Sequence, residues 1–320
     1  MLDLRQERVL VTGGTGFLGR HLCERLGHFA GNVFRAGRED CEFSNSETFG
    51  NLLKAQRSTV VVHLAAVCGG IGANQARPAE MIHDNLLMAC NVVKSAAKTK
   101  TVKKLVLVGS VCSYPKYCPT PFKESDLWNG YPEETNAPYG IAKRALFELA
   151  GAYHRQYGLK VACLLPANLY GPGDSFDDAK SHVIPALIRK FIEAQESGAA
   201  SVTLWGTGTA SRDFLYVEDC ADAIVRAAER LETPEPINLG TNEEVRIVQL
   251  AETIAEIVGF RGEIIWDSSR PDGQPRRCLD VSRAKSALDW TSSTNLASGL
   301  NKTVEWYLTN NRTVEELQPQ

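Results

Sequence analysis

The chain has 320 residues, 43% hydrophobic and 23% charged, enough for one large or two modest domains with a sizeable core. Its net charge of -3 excludes a broad nonspecific nucleic-acid surface, and no apolar run is long enough for a membrane helix. The 9 cysteines are odd in number and irregularly spaced, with no CxxC pair, and the opening MLDLRQERVL does not have the layout of a signal peptide, so reduced thiols, no metal framework and a cytoplasmic setting are expected.

In chain order, RVLVTGGTGFLGRHLCERLG reads as strand, tight glycine turn and helix, and NVFRAG as a second strand. TVVVHLAA is a third strand, IHDNLLMACNVVKSAAK a helix, and KKLVLVGS a further strand. PYGIAKRALFELAGAYHRQYG has the spacing of a long amphipathic helix, and KVACLLPANLYG follows as a strand. This alternation predicts an α/β fold, a Rossmann-like parallel sheet with helices on both faces. The rhythm changes between about 173 and 217. There SHVIPALIRKFIEAQ reads as helix, and VTLWGTGTASRDFLYVEDCADAIVRAAERL as strand, turn, short strand and helix. PINLG resembles one more core strand, IVQLAETIAEIVGF a helix, and CLDVSRAKSALDW a small helix with its lead-in. The expected division is a cofactor-binding domain over 1–172 to which 218–245 returns, a smaller α/β substrate domain from 173–217 and 246–311, and a frayed polar tail over 312–320.

Gly13, Gly16 and Gly19 form GxxGxxG between a strand and a helix. A helix N-terminus there aims unpaired backbone N–H groups at a pyrophosphate, and positions without side chains let it approach. The end of the second strand, FRAGRED, offers Arg35 and Arg38 before any acid, which favours the 2′-phosphate of NADP over the ribose hydroxyls of NAD unless both arginines are solvated surface.

Tyr139 and Lys143 lie four apart on a predicted helix and share a face. An ammonium beside a phenol favours the phenolate, and such a pair exchanges a proton with a carbonyl or alcohol while nicotinamide exchanges a hydride. Ser110, at the end of a core strand, can donate to the same oxygen, because strand ends of a parallel sheet gather at one crevice. Cys112, two residues further on, would read alone as buried filler.

These motifs resemble the extended short-chain dehydrogenase/reductases and, within them, the GDP-L-fucose synthase family of GDP-4-keto-6-deoxymannose 3,5-epimerase–4-reductases. The resemblance covers nearly the whole chain and rests on HLAAVCGGIGANQARPAEMIHDNLLMACNVV, GSVCSYPK, EETNAPYGIAK, NLYGPGDSF, SHVIPALIRKF and LWGTGTASRDFLYVEDCADA. It implies Ser110, Tyr139 and Lys143 as the reduction set and Cys112 with His182 as the epimerisation pair, one base and one acid on opposite faces of a sugar ring. Cys112 as base and His182 as acid is the first assignment; alternation between the two centres is the other. It further implies NADP(H) held by the glycine turn with Phe17 and Leu18, by Leu64, Ala65 and Ala66, by Pro166, Asn168 and Leu169, and by Tyr139 and Lys143. Substrate would meet Ser110, Cys112, Asn168, His182, Val183, Lys190, Trp205 and Arg212, with the arginine on the diphosphate. Asn85 would stand behind the catalytic helix, His63 and His83 would be structural, and the protein would pair as a homodimer.

The chain departs from the family pattern in three places. Ser110-Val111-Cys112-Ser113-Tyr114-Pro115 replaces the usual SSCIYP, Lys190 replaces an arginine, and CLDVSR carries Cys278, to which no ligand role is given. Two other outcomes keep these motifs: a 4-ketoreductase with one or no epimerisation on a related nucleotide-activated sugar such as a deoxyheptose, and an epimerase that recycles bound NAD. A sugar-nucleotide-binding regulator with no catalysis is a third, though it has no need of a complete proton-transfer set.

Overall fold

Val60–His63 and Lys104–Val108 are buried at every position, which a strand tolerates only between two neighbours with both faces covered. The computed structural model of the chain describes residues 1–177, 181–270 and 272–316 and shows these segments at the centre of a sheet. In chain order the first elements are β1 (Arg8–Thr12), α1 (Phe17–Gly27), β2 (Asn32–Ala36), α2 (Ser46–Ala55), β3 (Val60–His63), α3 (Ile71–Ala76) and α4 (Pro78–Lys98). Then come β4 (Lys104–Val108), α5 (Ala137–Tyr157), β5 (Lys160–Pro166), β6 (Asn168–Tyr170), α6 (Val183–Glu196), β7 (Ser201–Trp205), β8 (Ser211–Arg212) and β9 (Phe214–Tyr216). The last are α7 (Val217–Arg230), β10 (Pro236–Leu239), β11 (Val245–Arg246), α8 (Ile247–Val258), β12 (Glu263–Asp267), α9 (Ser282–Leu288) and α10 (Leu296–Glu316).

The main sheet has the order β10-β5-β4-β3-β1-β2, and every pair in it is parallel. All six C-terminal strand ends therefore open on one edge, where ligands of open α/β sheets bind. One apolar core surrounds this sheet and takes in α7, β10 and also α9, through Leu279, Ala284, Leu288 and Trp290. A second core is built from α6, β7, α8 and α10, with Ile188, Phe191, Leu250, Ile254 and Leu300 at its centre. Three two-stranded pairings serve this region: β6 with β9, β7 with β12, and β8 with β11.

Several elements are not legible in the sequence. Asn45 caps α2 by accepting from the N–H groups of Glu47 and Thr48. EIIWD forms β12, parallel to β7 and in register from Glu263 against Ser201 to Asp267 against Trp205. The polar end expected to fray from 312 is helical through Glu316, and the rest of that stretch, 317–320, lies outside the described residues.

Candidate active-site cleft

A cleft of about 2010 Å³ runs along the strand ends and between the two cores. It gathers every residue anticipated for cofactor or substrate except Arg35. Its cofactor end is the turn from β1 into α1. A Cβ on Gly19 would collide with the Gly13 carbonyl oxygen and lie 2.7 Å from the Gly14 Cα, so α1 can start this close to β1 only on a glycine. Gly16 is the N-cap of α1 and makes no side-chain cap, so the first-turn N–H groups at Phe17, Leu18 and Gly19 face the cleft without a competing acceptor from the cap. Leu64, Ala65 and Ala66 follow β3, while Pro166, Asn168 and Leu169 form the wall after β5. The amide of Asn168 donates to the Asp213 carbonyl at 2.9 Å, tying β6 to β9.

The two arginines after β2 part company. Arg38 lines the cleft, whereas Arg35 lies outside it, and its charge bears on the buried Cys23 thiol. The physical cause is strand alternation: successive side chains of β2 leave on opposite faces, and the chain turns at Gly37 before Arg38. The nearby acid, Asp40, is occupied by accepting from the Gly37 N–H at 2.8 Å.

At the chemical centre, Ser110 ends the run from β4 and caps the 3-10 turn Val111–Ser113, accepting from the Cys112 N–H at 3.2 Å. Lys143 is buried and donates to the Val108 carbonyl at 3.1 Å, with its ammonium 5.7 Å from the Tyr139 ring centroid. Burial brings its pKa down to about 8, partly offset by Cys68. Tyr139 departs from the expected phenolate. Burial, and then the neighbouring Cys68 and Cys112, raise its pKa well above the usual phenol value, and a hydrogen bond with Ser110 only partly counters this. The phenol keeps its proton at neutral pH, the state needed to donate to a ketone oxygen during reduction.

α5 lies against the Cys112 loop through Gly140, where a Cβ would strike the Cys112 carbonyl oxygen and sit 3.1 Å from its carbon. Cys112 is a half-buried free thiol. His182 is the N-cap of α6, and its imidazole makes no cap hydrogen bond. Solvent reaches it through the cleft, yet the enclosing walls lower its pKa, so at neutral pH it stands neutral. Val183 and Lys190 follow on α6, and the Lys190 ammonium donates to the Thr203 carbonyl at 3.2 Å. Trp205 is 59% exposed, with the Arg270 guanidinium 5.0 Å from its ring. Arg212 is buried and donates to the carbonyls of Ser211, Gln274 and Asp272.

Asn85 serves the site from behind. Its side chain accepts from the Val67 N–H and donates to the carbonyls of Val67 and Met81, which fastens the loop after β3 to α4. His63 is buried beside the Thr12 hydroxyl at 2.8 Å, with a pKa of about 3 from burial, and His83 is on the surface beside Asp84. Cys278 is buried and outside the cleft lining. Cleft residues missed in the sequence include Cys68, Trp266, Asp272, Gln274 and Arg277.

Residues 9–240 match the NAD dependent epimerase/dehydratase family model. The chain belongs to that family. The chain is 40% identical over 310 residues to a GDP-L-fucose synthase of Sinorhizobium fredii, covering 97% of this chain and 98% of that one. Among solved structures, a GDP-6-OMe-4-keto-L-xylo-heptose reductase from C. jejuni superposes with a TM-score of 0.89 at 30% identity, covering 97% of this chain and 99% of the other. A GDP-L-fucose synthetase from Naegleria fowleri bound to NADP gives a TM-score of 0.88 at 29% identity, over 97% of this chain and 95% of that chain. As in the expected extended short-chain dehydrogenase/reductase fold, this family member joins a parallel Rossmann-like sheet to a smaller α/β region. Among the described residues no helix is long and apolar enough to cross a membrane, and no cluster of His, Cys, Asp and Glu has the makings of a metal site.

Proposed function

We propose that the protein epimerises a GDP-4-keto-6-deoxy sugar at C3 and C5 and reduces its C4 ketone with NADPH, converting GDP-4-keto-6-deoxy-D-mannose to GDP-L-fucose. The observation that carries this reading is the meeting, in one cleft, of a protonated Tyr139 beside Ser110 and Lys143 with Cys112 and His182. The similarity to the S. fredii enzyme over almost its full length supports the choice of sugar nucleotide.

The glycine turn, whose crowding leaves no room for a Cβ at Gly19, fits a dinucleotide, and NADPH bound there supplies the hydride for the ketone carbon. Gly13, Gly16 and the N–H groups of Phe17, Leu18 and Gly19 would hold its pyrophosphate, Arg38 its 2′-phosphate, and Leu64 to Ala66, Pro166, Leu169 and Lys143 its remaining length. Tyr139 gives its proton to the C4 oxygen, Ser110 donates to the same oxygen, and the Lys143 ammonium steadies the phenolate left behind.

Before reduction, the same two donors draw electron density onto that oxygen, and this acidifies the hydrogens on C3 and C5. One member of the Cys112–His182 pair removes such a proton and the other returns one on the opposite face. With His182 neutral at rest, the first assignment, Cys112 as base and His182 as acid, requires the pair's mobile proton on the imidazole and the negative charge on sulfur. Arg212 and Lys190 would meet the diphosphate, with Val183, Asn168 and Trp205 placing the rest of the substrate. The first core is thus the cofactor half and the second the substrate half. Two copies would pair through α4 and α5, whose outer surfaces expose Leu87, Cys90 and Tyr157.

Incubation with GDP-4-keto-6-deoxy-D-mannose in deuterated water, first without and then with NADPH, tests the reading. Deuterium at C3 and C5 followed by NADPH oxidation to GDP-L-fucose is the expected result. The similarity to the C. jejuni heptose reductase supports a second reading, 4-keto reduction with one or no epimerisation. Reduction without exchange at one or both carbons would select it.

A further inference from the structure

The buried Arg277 has no place in the steps above. Its backbone N–H donates to the Ser211 carbonyl at 3.1 Å, and its Nε donates to Gln274 Oε1 at 2.8 Å. Its Nη1 points at the Cys112 sulfur and donates to it at 3.5 Å. These side-chain bonds reach an amide and a thiol and no carboxylate. A buried guanidinium without an anion has lost its water and gained little in return.

Gln274 closes a ring. Its side-chain amide donates to the carbonyls of Pro115 at 3.1 Å and Lys116 at 3.2 Å, three and four residues past Cys112. The same side chain that holds Arg277 therefore also grips the loop that carries the thiol. Its backbone carbonyl accepts from Arg212 Nη1 at 2.6 Å, which brings a second buried cation beside the first. The repulsion is felt at Arg212, where burial and then Arg277 disfavour the positive charge, while Cys112, Glu133 and Asp272 favour it. Glu133 already accepts from Thr135 and Asn136, and Asp272 from Thr207. Of the three, Cys112 is the one to which the Arg277 guanidinium donates a hydrogen bond.

We propose that Arg277, held by Gln274, is the positioning residue of Cys112, fixing the sulfur toward the cleft and stabilising it in its thiolate form. The inference rests on the epimerase reading and supplies what it lacked. The neutral resting state of His182 disfavours placing the mobile proton there, and a guanidinium on the sulfur restores the balance by favouring the charge Cys112 must carry. When the thiolate takes a proton from carbon, the C–H electron pair passes toward the C4 oxygen and an S–H bond forms. Arg277 itself gives up no proton.

Alkylation of the ligand-free protein by iodoacetamide, followed peptide by peptide, isolates this contact without substrate or cofactor. The thiolate displaces iodide, so the rate at Cys112 reads the availability of that charge. Cys68, in the same cleft but not bonded to Arg277, is the internal reference. In R277Q, Cys112 alkylation slows about ten-fold relative to Cys68, the effect of losing one hydrogen bond to a charged group. R277K restores most of it, because an ammonium still supplies the charge. In parallel, kcat for deuterium exchange falls in R277Q while KM for the sugar nucleotide changes little.

Unchanged alkylation in R277Q, or a loss seen only in KM, would overturn the proposal and leave Arg277 a residue that grips the ligand. Slowing of Cys112 and Cys68 together would also overturn it, since that reports a loosened loop. If the wild-type protein shows no deuterium exchange, the epimerase reading fails, while the alkylation ratios still decide whether Arg277 activates the thiol.

Discussion

The two halves of the cleft are built by different means. On the cofactor side, strands buried on both faces present their C-terminal ends in register; Ser110 sits on the turn just after β4, and Tyr139 and Lys143 ride on α5. On the other side, short two-stranded pairings and the start of α6 carry Arg212, Trp205 and His182. The first arrangement suits proton donation to one oxygen beside a dinucleotide, which is the same task for every ketone. The second suits recognition, where loop and helix-end positions vary without disturbing a sheet. Cys112 belongs to the first half and His182 to the second, so on the proposed mechanism carbon-acid exchange draws on both halves, whereas reduction draws on one.

Substitutions can break that division. Y139F removes the donated proton, and NADPH oxidation with the 4-keto sugar drops on the order of a thousand-fold. Deuterium exchange without NADPH survives better, because Ser110 still polarises the oxygen. Equal loss of both activities would show that the halves do not work separately. C112S and H182N should do the reverse, lowering exchange at C3 and C5 about a hundred-fold or more, read by mass spectrometry, with NADPH affinity unchanged.

On the cofactor side, R38A should lower the preference for NADPH over NADH about ten-fold, the effect of one charge-assisted hydrogen bond, and R35A should change it less. Steady-state kinetics with both cofactors measures this, and equal effects would mean that Arg35 also reaches the ligand. The smallest effect is in pH. Burial holds Lys143 at about 8, so its ammonium is present below that pH and lost above it. The kcat/KM for keto reduction in the free enzyme should therefore decline as pH rises past about 8, and K143R should move that alkaline limb upward.

Much of the cofactor half was legible in the sequence, because its signals are local. The glycine spacing at Gly13, Gly16 and Gly19, and the four-residue step from Tyr139 to Lys143, are set by a single turn and a single helix. What escaped notice depends on distant pairing. EIIWD alternates too weakly in burial to declare itself a strand, and it exists because β7 offers it an edge. Arg35 and Arg38 looked equivalent in FRAGRED, and only the emergence of the chain from β2 separates them. The phenolate expected at Tyr139 followed from the lysine four residues away, but helix spacing says nothing of burial or of two thiols beside the ring. Arg277 and Gln274 lie in PDGQPRRCLD, a stretch with no periodicity, and only once the cores are assembled does Arg277 reach Cys112 across 165 positions of chain and Gln274 reach Pro115 across 159.

The contact at Gly140 sets a limit on how this cleft can operate. With no side chain between them, the backbone beside Tyr139 and the backbone of Cys112 pack like a single anvil, with no room for even a methyl group. On the proposed mechanism, the group that meets the oxygen and the group that meets a ring carbon are thus mounted on closely packed backbone. If two carbons on either side of the ketone are to reach one sulfur in turn, the sugar has to pivot about its own carbonyl between strokes, and the room for that swing belongs to the wall carrying Trp205 and His182.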